Sequence, residues 1–482
     1  MICKAEGEFP QNAIQLYACP THATEPQKWM GADAFPGIKT AWELLPEQSY
    51  RTLFGSRGEV AYLIKVDLED KIGSIRELAR KLSFEERERL TQDLAIYWTA
   101  PKERYEEFIK GLLLGTYRPG RWKSDAEPHP FGGANSKLYC VGPMGSTQLS
   151  LANAAYQLSH SQLRAMDLVN APANKKRPQD LANWAIESAE QYKYEVRVLD
   201  EAACEEEGLH ALLAVNRGSE DPARFIIQEY QGVESQSNGP IVLVGKGVTF
   251  DTGGISIKGS TNLHLMKSDM GGAAAVLGTV EAAARMQLPV HLIGLVPATD
   301  NSVDALAIKP SDVIKTHSGK TVEIIDTDAE GRLILSDGLS YATKYFKPTT
   351  LIDLATLTGS SVRTFGYNCG ALFSKNEQLI NELRAAGTSS GERLWPLPMW
   401  EDYRADLDSD VADIKNYSGK PINGAIDAAV FLETFTNNHP RFAHLDIAGV
   451  ALKSGPFGKD RLATGFGIHL LITWLISQAK AN

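Results

Sequence analysis

Ile241-Val-Leu-Val-Gly-Lys-Gly-Val-Thr-Phe-Asp251-Thr-Gly-Gly254 is the stretch on which the fold turns. Residues 241–244 are apolar without alternation, the pattern of a strand buried on both faces. They run directly into Gly245-Lys246-Gly247, then Asp251 and a glycine pair, and a Gly- and Ala-rich helical pattern covers 271–286. The layout recurs downstream. A strand pattern at 321–325 ends in Asp326-Thr-Asp-Ala-Glu-Gly-Arg332, and a helical pattern occupies 331–346. Further strand patterns lie at 194–199, 225–230, 290–296, 350–354 and 444–447, with helical patterns at 178–191, 425–437 and 465–479. Alternating strands and helices predict an α/β fold with a mostly parallel central sheet flanked by helices.

Upstream the texture is uneven. Residues 59–66 read as a strand, 72–98 as a charged helix, 104–114 as an amphipathic helix, and 117–143 as a Gly- and Pro-rich connection. A long helix is expected over 148–169. A chain of 482 residues exceeds one ordinary core. The predicted boundary stands near Gly145, giving domains 1–145 and 146–482.

Composition narrows the function classes. The chain is 43% hydrophobic and 22% charged, as in soluble globular proteins. No apolar run is long enough to span a bilayer. Residues 1–20 lack the basic-then-apolar layout of a secretory signal, and the five cysteines are dispersed without a CxxC pair. Both features predict a cytoplasmic protein with reduced thiols. A net charge of -10 argues against broad nucleic-acid binding.

The polar residues that carry chemistry lie between Lys246 and Arg332. Asp251, Asp269, Asp328 and Glu330 are four carboxylates near apolar strand ends, where open α/β sheets bind ligands. Brought together they would repel, and two divalent cations would offset their formal charge. In an extended segment, Asp328 and Glu330 would share one face. An acid at a strand-to-helix junction can instead cap the helix, and Asp269 and Asp326 are the most open to that role. Lys246 lies between glycines directly after a buried strand, an unusual place for a solubilising charge. Other signals fail. Gly319-Lys320-Thr321 lacks the first glycine of a phosphate loop, since Ile314 stands there. His264 and His317 read as satisfied surface or core residues, since the oxygen set leaves them no role, and Cys369 has no evident base partner.

These motifs resemble the leucyl aminopeptidase family (cytosol aminopeptidases, peptidase family M17). The resemblance is carried by Asp326-Thr-Asp-Ala-Glu-Gly-Arg332 and by the run from Val244 to Lys258. Met266-Lys-Ser-Asp-Met-Gly-Gly-Ala-Ala-Ala, Asp353-Leu-Ala-Thr-Leu-Thr-Gly359 and Ala443-His-Leu-Asp-Ile-Ala-Gly449 extend it. It covers the chain from about Asp167 onward. It implies a metallo-aminopeptidase acting through a metal-bridged hydroxide on peptides with a free N-terminus. Lys246, Asp251, Asp269 and Glu330 would hold one ion, and Asp251, Asp328 and Glu330 the other, with manganese or zinc expected. Lys258 would stabilise the oxyanion, and Arg332 would hold a bicarbonate. Met266, Thr356, Leu357, Gly359, Ala448 and Ala451 would line the first side-chain pocket.

The resemblance also implies a smaller N-terminal α/β domain, often macro-like, supporting a homo-oligomer, a hexamer. The first domain does not align with the family's own. Asp326 stands where the family has Asn, and Gly465-Phe-Gly467 where Gly-Arg-Pro is common. Ala451 stands where Met is frequent, which predicts room for bulky first residues. The competing readings are a non-catalytic relative acting as scaffold or regulator, and a specialised dipeptidase.

Overall fold

The computed structural model divides the chain into two units, Met1–Leu163 and Arg164–Asn482. The described residues are 2–6, 10, 13–21, 23, 35, 37–56, 58–69, 72–91, 93–132, 135–141, 145–233 and 239–481.

The first unit contains β1 (Ile2–Glu6), β2 (Ile14–Pro20), α1 (Ile38–Glu43), β3 (Ser49–Phe54), β4 (Val60–Val66), α2 (Ile72–Glu85), β5 (Leu94–Trp98), α3 (Lys102–Gly115) and β6 (Lys137–Val141). Its sheet has the order β1-β6-β5-β2-β4-β3, parallel except for β3 against β4. Leu16, Ile64, Ile96 and Leu138 share a core with Leu82, Phe108 and Leu112 of the helices. Two expectations are corrected. The helix predicted over 72–98 stops at Glu85, and Leu94-Ala-Ile-Tyr-Trp98 is a strand between β2 and β6. Its apolar run buries both faces of a parallel sheet, which a charged helical period cannot supply. The connection predicted over 117–143 contains β6; Pro143 lies outside the described residues.

The division between the units falls inside α4 (Gly145–Asn170), whereas the expected boundary stood at its first residue.

The second unit begins with α5 (Pro178–Tyr192), β7 (Glu195–Leu199), α6 (Glu201–Glu207), α7 (His210–Asn216) and β8 (Arg224–Gln231). Then come β9 (Ile241–Gly245), β10 (Gly247–Asp251), α8 (Gly271–Arg285), β11 (His291–Asn301), β12 (Val313–Lys315), β13 (Thr321–Glu323) and α9 (Glu330–Tyr345). Next are β14 (Thr350–Ala355), α10 (Gly359–Phe365), β15 (Gly370–Phe373), α11 (Glu377–Ser390), β16 (Leu394–Pro396) and β17 (Ile414–Lys415). The unit closes with α12 (Gly424–Glu433), β18 (Phe442–Asp446), β19 (Leu452–Lys453), β20 (Leu462–Ala463) and α13 (Ile468–Ala481).

Its main sheet runs β16-β15-β18-β14-β9-β11-β8-β7, with β10 also paired to β11. The central strands β18, β14, β9 and β11 are mutually parallel, and β8 and β7 add antiparallel partners at one side. This is the predicted α/β architecture. Val242, Val244, Leu351 and Ala355 pack in one core with Leu333 and Leu339 of α9. The segment at 321–325 departs from expectation. Only Thr321–Glu323 is a strand, and it belongs to a separate sheet of order β12-β13-β17. Only Val322 of its three residues is buried, so it has one core-facing side chain, not two buried faces. Among the described residues, no helix is long and apolar enough to cross a membrane.

Candidate active site

The carboxyl ends of β9, β10 and β14 converge with the starts of α8 and α9. Lys246 follows β9 directly. Its N–H donates to the Leu354 carbonyl (3.0 Å), and its own carbonyl accepts from Ala273 N–H (2.9 Å). The backbone is thus clamped between β14 and the first turn of α8. Lys246 Nζ lies 2.6 Å from Asp269 Oδ2 and 2.8 Å from Glu330 Oε1. A Cβ at Gly331 would stand 2.5 Å from Lys246 Cε, so a side chain there would displace the Lys246 ammonium.

Asp251 ends β10. Its Oδ1 accepts from Gly253 N–H (2.8 Å) and Asn301 Nδ2 (2.9 Å), and its Oδ2 lies 2.8 Å from Lys258 Nζ. Lys258 also donates to Asp328 Oδ1. Gly253 has φ +87, and a Cβ there would meet Asp328 Oδ1 at 2.8 Å, so this loop needs glycine twice over. Asp269 Oδ1 accepts from Thr356 Oγ1 (2.8 Å). Oxygens of Asp251, Asp328 and Glu330 lie within 4.8 Å of one another.

Asp328 and Glu330 do not share the face of an extended segment. A turn carries Asp328, Ala329 has φ -105 and ψ 37, and Glu330 is the first residue of α9. The turn, not strand alternation, brings the two acids together. Asp326 Oδ1 accepts from Asp328 N–H (2.8 Å) and so shapes that turn. Neither Asp269 nor Asp326 caps a helix: Met270 and Ala329 precede α8 and α9, and no side chain caps either end. Glu330 sits where the N-terminal partial charge of α9 favours an anion.

Charge in this cluster is under-compensated. Burial pushes the Glu330 carboxyl up, Asp251 adds to the rise, and Lys246 and Lys258 oppose it. Burial holds Asp269 well above the carboxylate range despite Lys246. Burial, reinforced by Asp251 and Glu330, pushes Asp328 up to about 7. Burial alone would lower the Lys246 ammonium, but Asp269, Glu330 and Asp251 hold it above its usual range. Buried Glu330 Oε2 meets no hydrogen-bond donor among the described residues. Four carboxylates against two ammoniums, with a buried oxygen unpartnered, form a donor set suited to divalent cations. Arg332 is buried. Its Nη1 donates to the Asn416 carbonyl (2.7 Å), while its Nε meets no acceptor among the described residues. A guanidinium with a free edge fits a planar oxyanion.

The family model for the cytosol aminopeptidase family, catalytic domain, matches residues 164–472. The chain belongs to the cytosol aminopeptidase family. It is 44% identical over 383 residues to the "Probable cytosol aminopeptidase" of Chlorobium phaeobacteroides (strain DSM 266 / SMG 266 / 2430), covering 77% of this chain and 74% of that one. A relative of the same name in Geobacter sp. (strain M21) is 45% identical over 372 residues, covering 77% and 75%. Among solved structures, "Bottromycin maturation enzyme BotP in complex with Mn" superposes with a TM-score of 0.84 at 29% identity, covering 97% of this chain and 100% of that chain. Family membership makes the chain an aminopeptidase, a hydrolase of peptides.

Of the residues that the family resemblance points to for the first pocket, Leu357 lies near Ala448 and Thr356 near Ala451. Asp446, at the end of β18, accepts at Oδ1 from Leu357 N–H (3.3 Å) and Ala448 N–H (3.1 Å), and at Oδ2 from Thr358 Oγ1 (2.6 Å). It therefore fixes Leu357 against Ala448. A Cβ on Gly271 would lie 3.0 Å from Thr356 Cγ2 and 3.4 Å from Ala451 Cβ, so these two flank the start of α8. The Met266 carbonyl accepts from Asp269 N–H (3.2 Å), and Gly359 is the exposed first residue of α10. His264 pairs with Asp460 and His317 with Ser340. All five cysteines are free.

Sequence reasoning missed Asn301, Asn416 and Asp446. Asp446 stood inside the motif at 443–449 and carried a readable signal: an acid ending an apolar strand. Asn301 and Asn416 carried none, because neutral amides are ordinary in loops.

Proposed function

We propose that the chain is a two-metal aminopeptidase of the leucyl type. The observation that carries the reading is the convergence of Asp251, Asp328 and Glu330 oxygens within 4.8 Å, flanked by Lys246 and Asp269. Lys246, Asp251, Asp269 and Glu330 would hold one divalent cation and Asp251, Asp328 and Glu330 the other. The solved manganese complex of a relative supports manganese, and the donor set also suits zinc. When bound, such a pair supplies a water of lowered pKa at neutral pH and polarises the scissile carbonyl.

The chain's own residues do the rest. Asp269 would stand beside the free α-amine of a peptide, a contact that a blocked N-terminus loses, which would account for removal of single N-terminal residues. Lys258, partly exposed at the cluster's rim, would offer its ammonium to the developing oxyanion. Lys246 must give up its proton to act as a ligand, so the cation replaces that proton in offsetting Asp269 and Glu330. Arg332 would hold bicarbonate at its unpartnered Nε edge. Met266, Thr356, Leu357, Gly359, Ala448 and Ala451 would receive the first side chain. Family resemblance supports a homo-oligomer, a hexamer, in the cytoplasm, with residues 1–145 as a macro-like assembly domain.

The test uses metal-depleted protein re-supplied with Mn²⁺ or Zn²⁺ and two substrates, leucyl amide and N-acetyl-leucyl amide. Metal-dependent hydrolysis of the first alone is expected. Equal hydrolysis of both would remove the free-amine reading, and activity without metal would remove the two-metal reading.

A further inference from the structure

Asn416 follows β17, about ninety residues beyond the acids, and is fully buried. Its side-chain Oδ1 accepts from Ile325 N–H (2.8 Å) and Asp326 N–H (3.3 Å), and its Nδ2 donates to the Asp326 carbonyl (2.6 Å). Its backbone N–H donates to the Glu323 carbonyl (2.9 Å), extending the β13–β17 pairing by one residue. Its backbone carbonyl accepts from Arg332 Nη1 (2.7 Å).

We propose that Asn416 is a positioning residue that sets the acid-bearing turn and the Arg332 guanidinium in one register. The inference rests on the two-metal reading above. The path to the acids is short. The planar amide fixes both polar groups of the Asp326 peptide, Asp326 Oδ1 holds Asp328 N–H (2.8 Å), and Glu330 opens α9 two residues later. The path to Arg332 is direct. By occupying Nη1, the Asn416 carbonyl turns the buried Nε edge elsewhere, and Nε is the donor left unpartnered. One residue thus orients the groups proposed to bind cation and anion. Replacing its side chain leaves two backbone N–H groups and one carbonyl of the half-buried Ile325 and Asp326 without these partners, which costs stability. Groups that orient ligands without touching the metal typically cost 10–100-fold in affinity or activity when lost.

The test compares the unsubstituted protein with Asn416→Ala and Asn416→Asp. Asn416→Asp keeps the shape but turns the Nδ2 donor into an acceptor facing the Asp326 carbonyl. Three quantities are read: Mn²⁺ affinity by calorimetry, spin coupling of the Mn²⁺-loaded protein by electron paramagnetic resonance, and kcat and KM on leucyl amide. Both variants should bind Mn²⁺ at least about tenfold more weakly and lose the coupled-pair spectrum. The kcat should fall by about tenfold or more, and KM should change by less than about threefold. A merely structural role would lower thermal stability while leaving the spectrum and kcat of the folded fraction intact, and that result overturns the inference. If Asn416→Ala does not fold, the same readings on Asn416→Asp decide. Failure of the unsubstituted protein to bind Mn²⁺ or hydrolyse leucyl amide would instead overturn the two-metal reading itself.

Discussion

Asn301 Nδ2 donates to Asp251 Oδ1 at 2.9 Å, and the same nitrogen donates to the Thr327 carbonyl at 3.1 Å. A neutral amide at the end of β11 therefore joins the last residue of β10 to the turn that carries Asp328. It leaves Asp251 Oδ2 facing the cluster. Asn301→Ala should weaken Mn²⁺ binding by about tenfold while the fold persists. Calorimetric titration checks this, and an affinity equal to that of the unsubstituted protein would show that Asn301 does not position Asp251.

Metal binding should release protons. Burial and Asp251 push Asp328 up to about 7, and burial holds Asp269 and Glu330 above their usual range. Near pH 7 the metal-free protein keeps part of the Asp328 proton, which a cation must displace, as it must displace the Lys246 proton. Apparent affinity should therefore rise as pH increases through about 7. Titrations in two buffers of different ionisation enthalpy measure the protons released. A pH-independent affinity without proton release would contradict this electrostatic account.

The pocket prediction concerns Ala451, whose Cβ abuts the start of α8 beside Thr356. Ala451→Met should fill the space for the first side chain. The ratio of kcat/KM for phenylalanyl amide over alanyl amide should fall by about tenfold, a typical selectivity for a hydrophobic pocket. An unchanged ratio would place the first side chain elsewhere.

Asp337 gives a stability prediction away from the chemistry. Burial pushes its carboxyl up to about 7, against opposing N–H donors from His317 and Leu212. An unfolded aspartate titrates near 4, so the folded state binds the extra proton between the two values. This contribution to stability is complete below about pH 4 and is lost as pH rises through about 7. Asp337→Asn stays neutral and should show a smaller fall in melting temperature between pH 5 and 8. It should also cost about 1–3 kcal/mol at acidic pH, because one buried N–H loses its acceptor. Thermal melts across that pH range compare the two proteins, and parallel curves would exclude titration of Asp337.

Much of this was legible in the chain. The unalternating run at 241–244 predicted a doubly buried strand, and β9 lies between β14 and β11. All four acids came together with Lys246 and Lys258, but only Asp251 does so from the end of a main-sheet strand; Asp269 precedes α8, and Asp328 and Glu330 come from the turn into α9. The strand at 94–98 was hidden because charged residues before it continue a helical period. Asp328 and Glu330 met through a turn whose geometry depends on Asn416, ninety positions away, and no local pattern carries such a contact. Ala451 and Thr356 likewise meet only across α8.

The central claim is that these acids gather around a pair of divalent cations. Crystals soaked in Mn²⁺, with diffraction recorded to exploit manganese anomalous scattering, test it most directly. Two peaks about 3.5–4 Å apart, bounded by Lys246, Asp251, Asp269, Asp328 and Glu330, are predicted. A map without manganese among those side chains, from crystals soaked well above micromolar concentration, would contradict it.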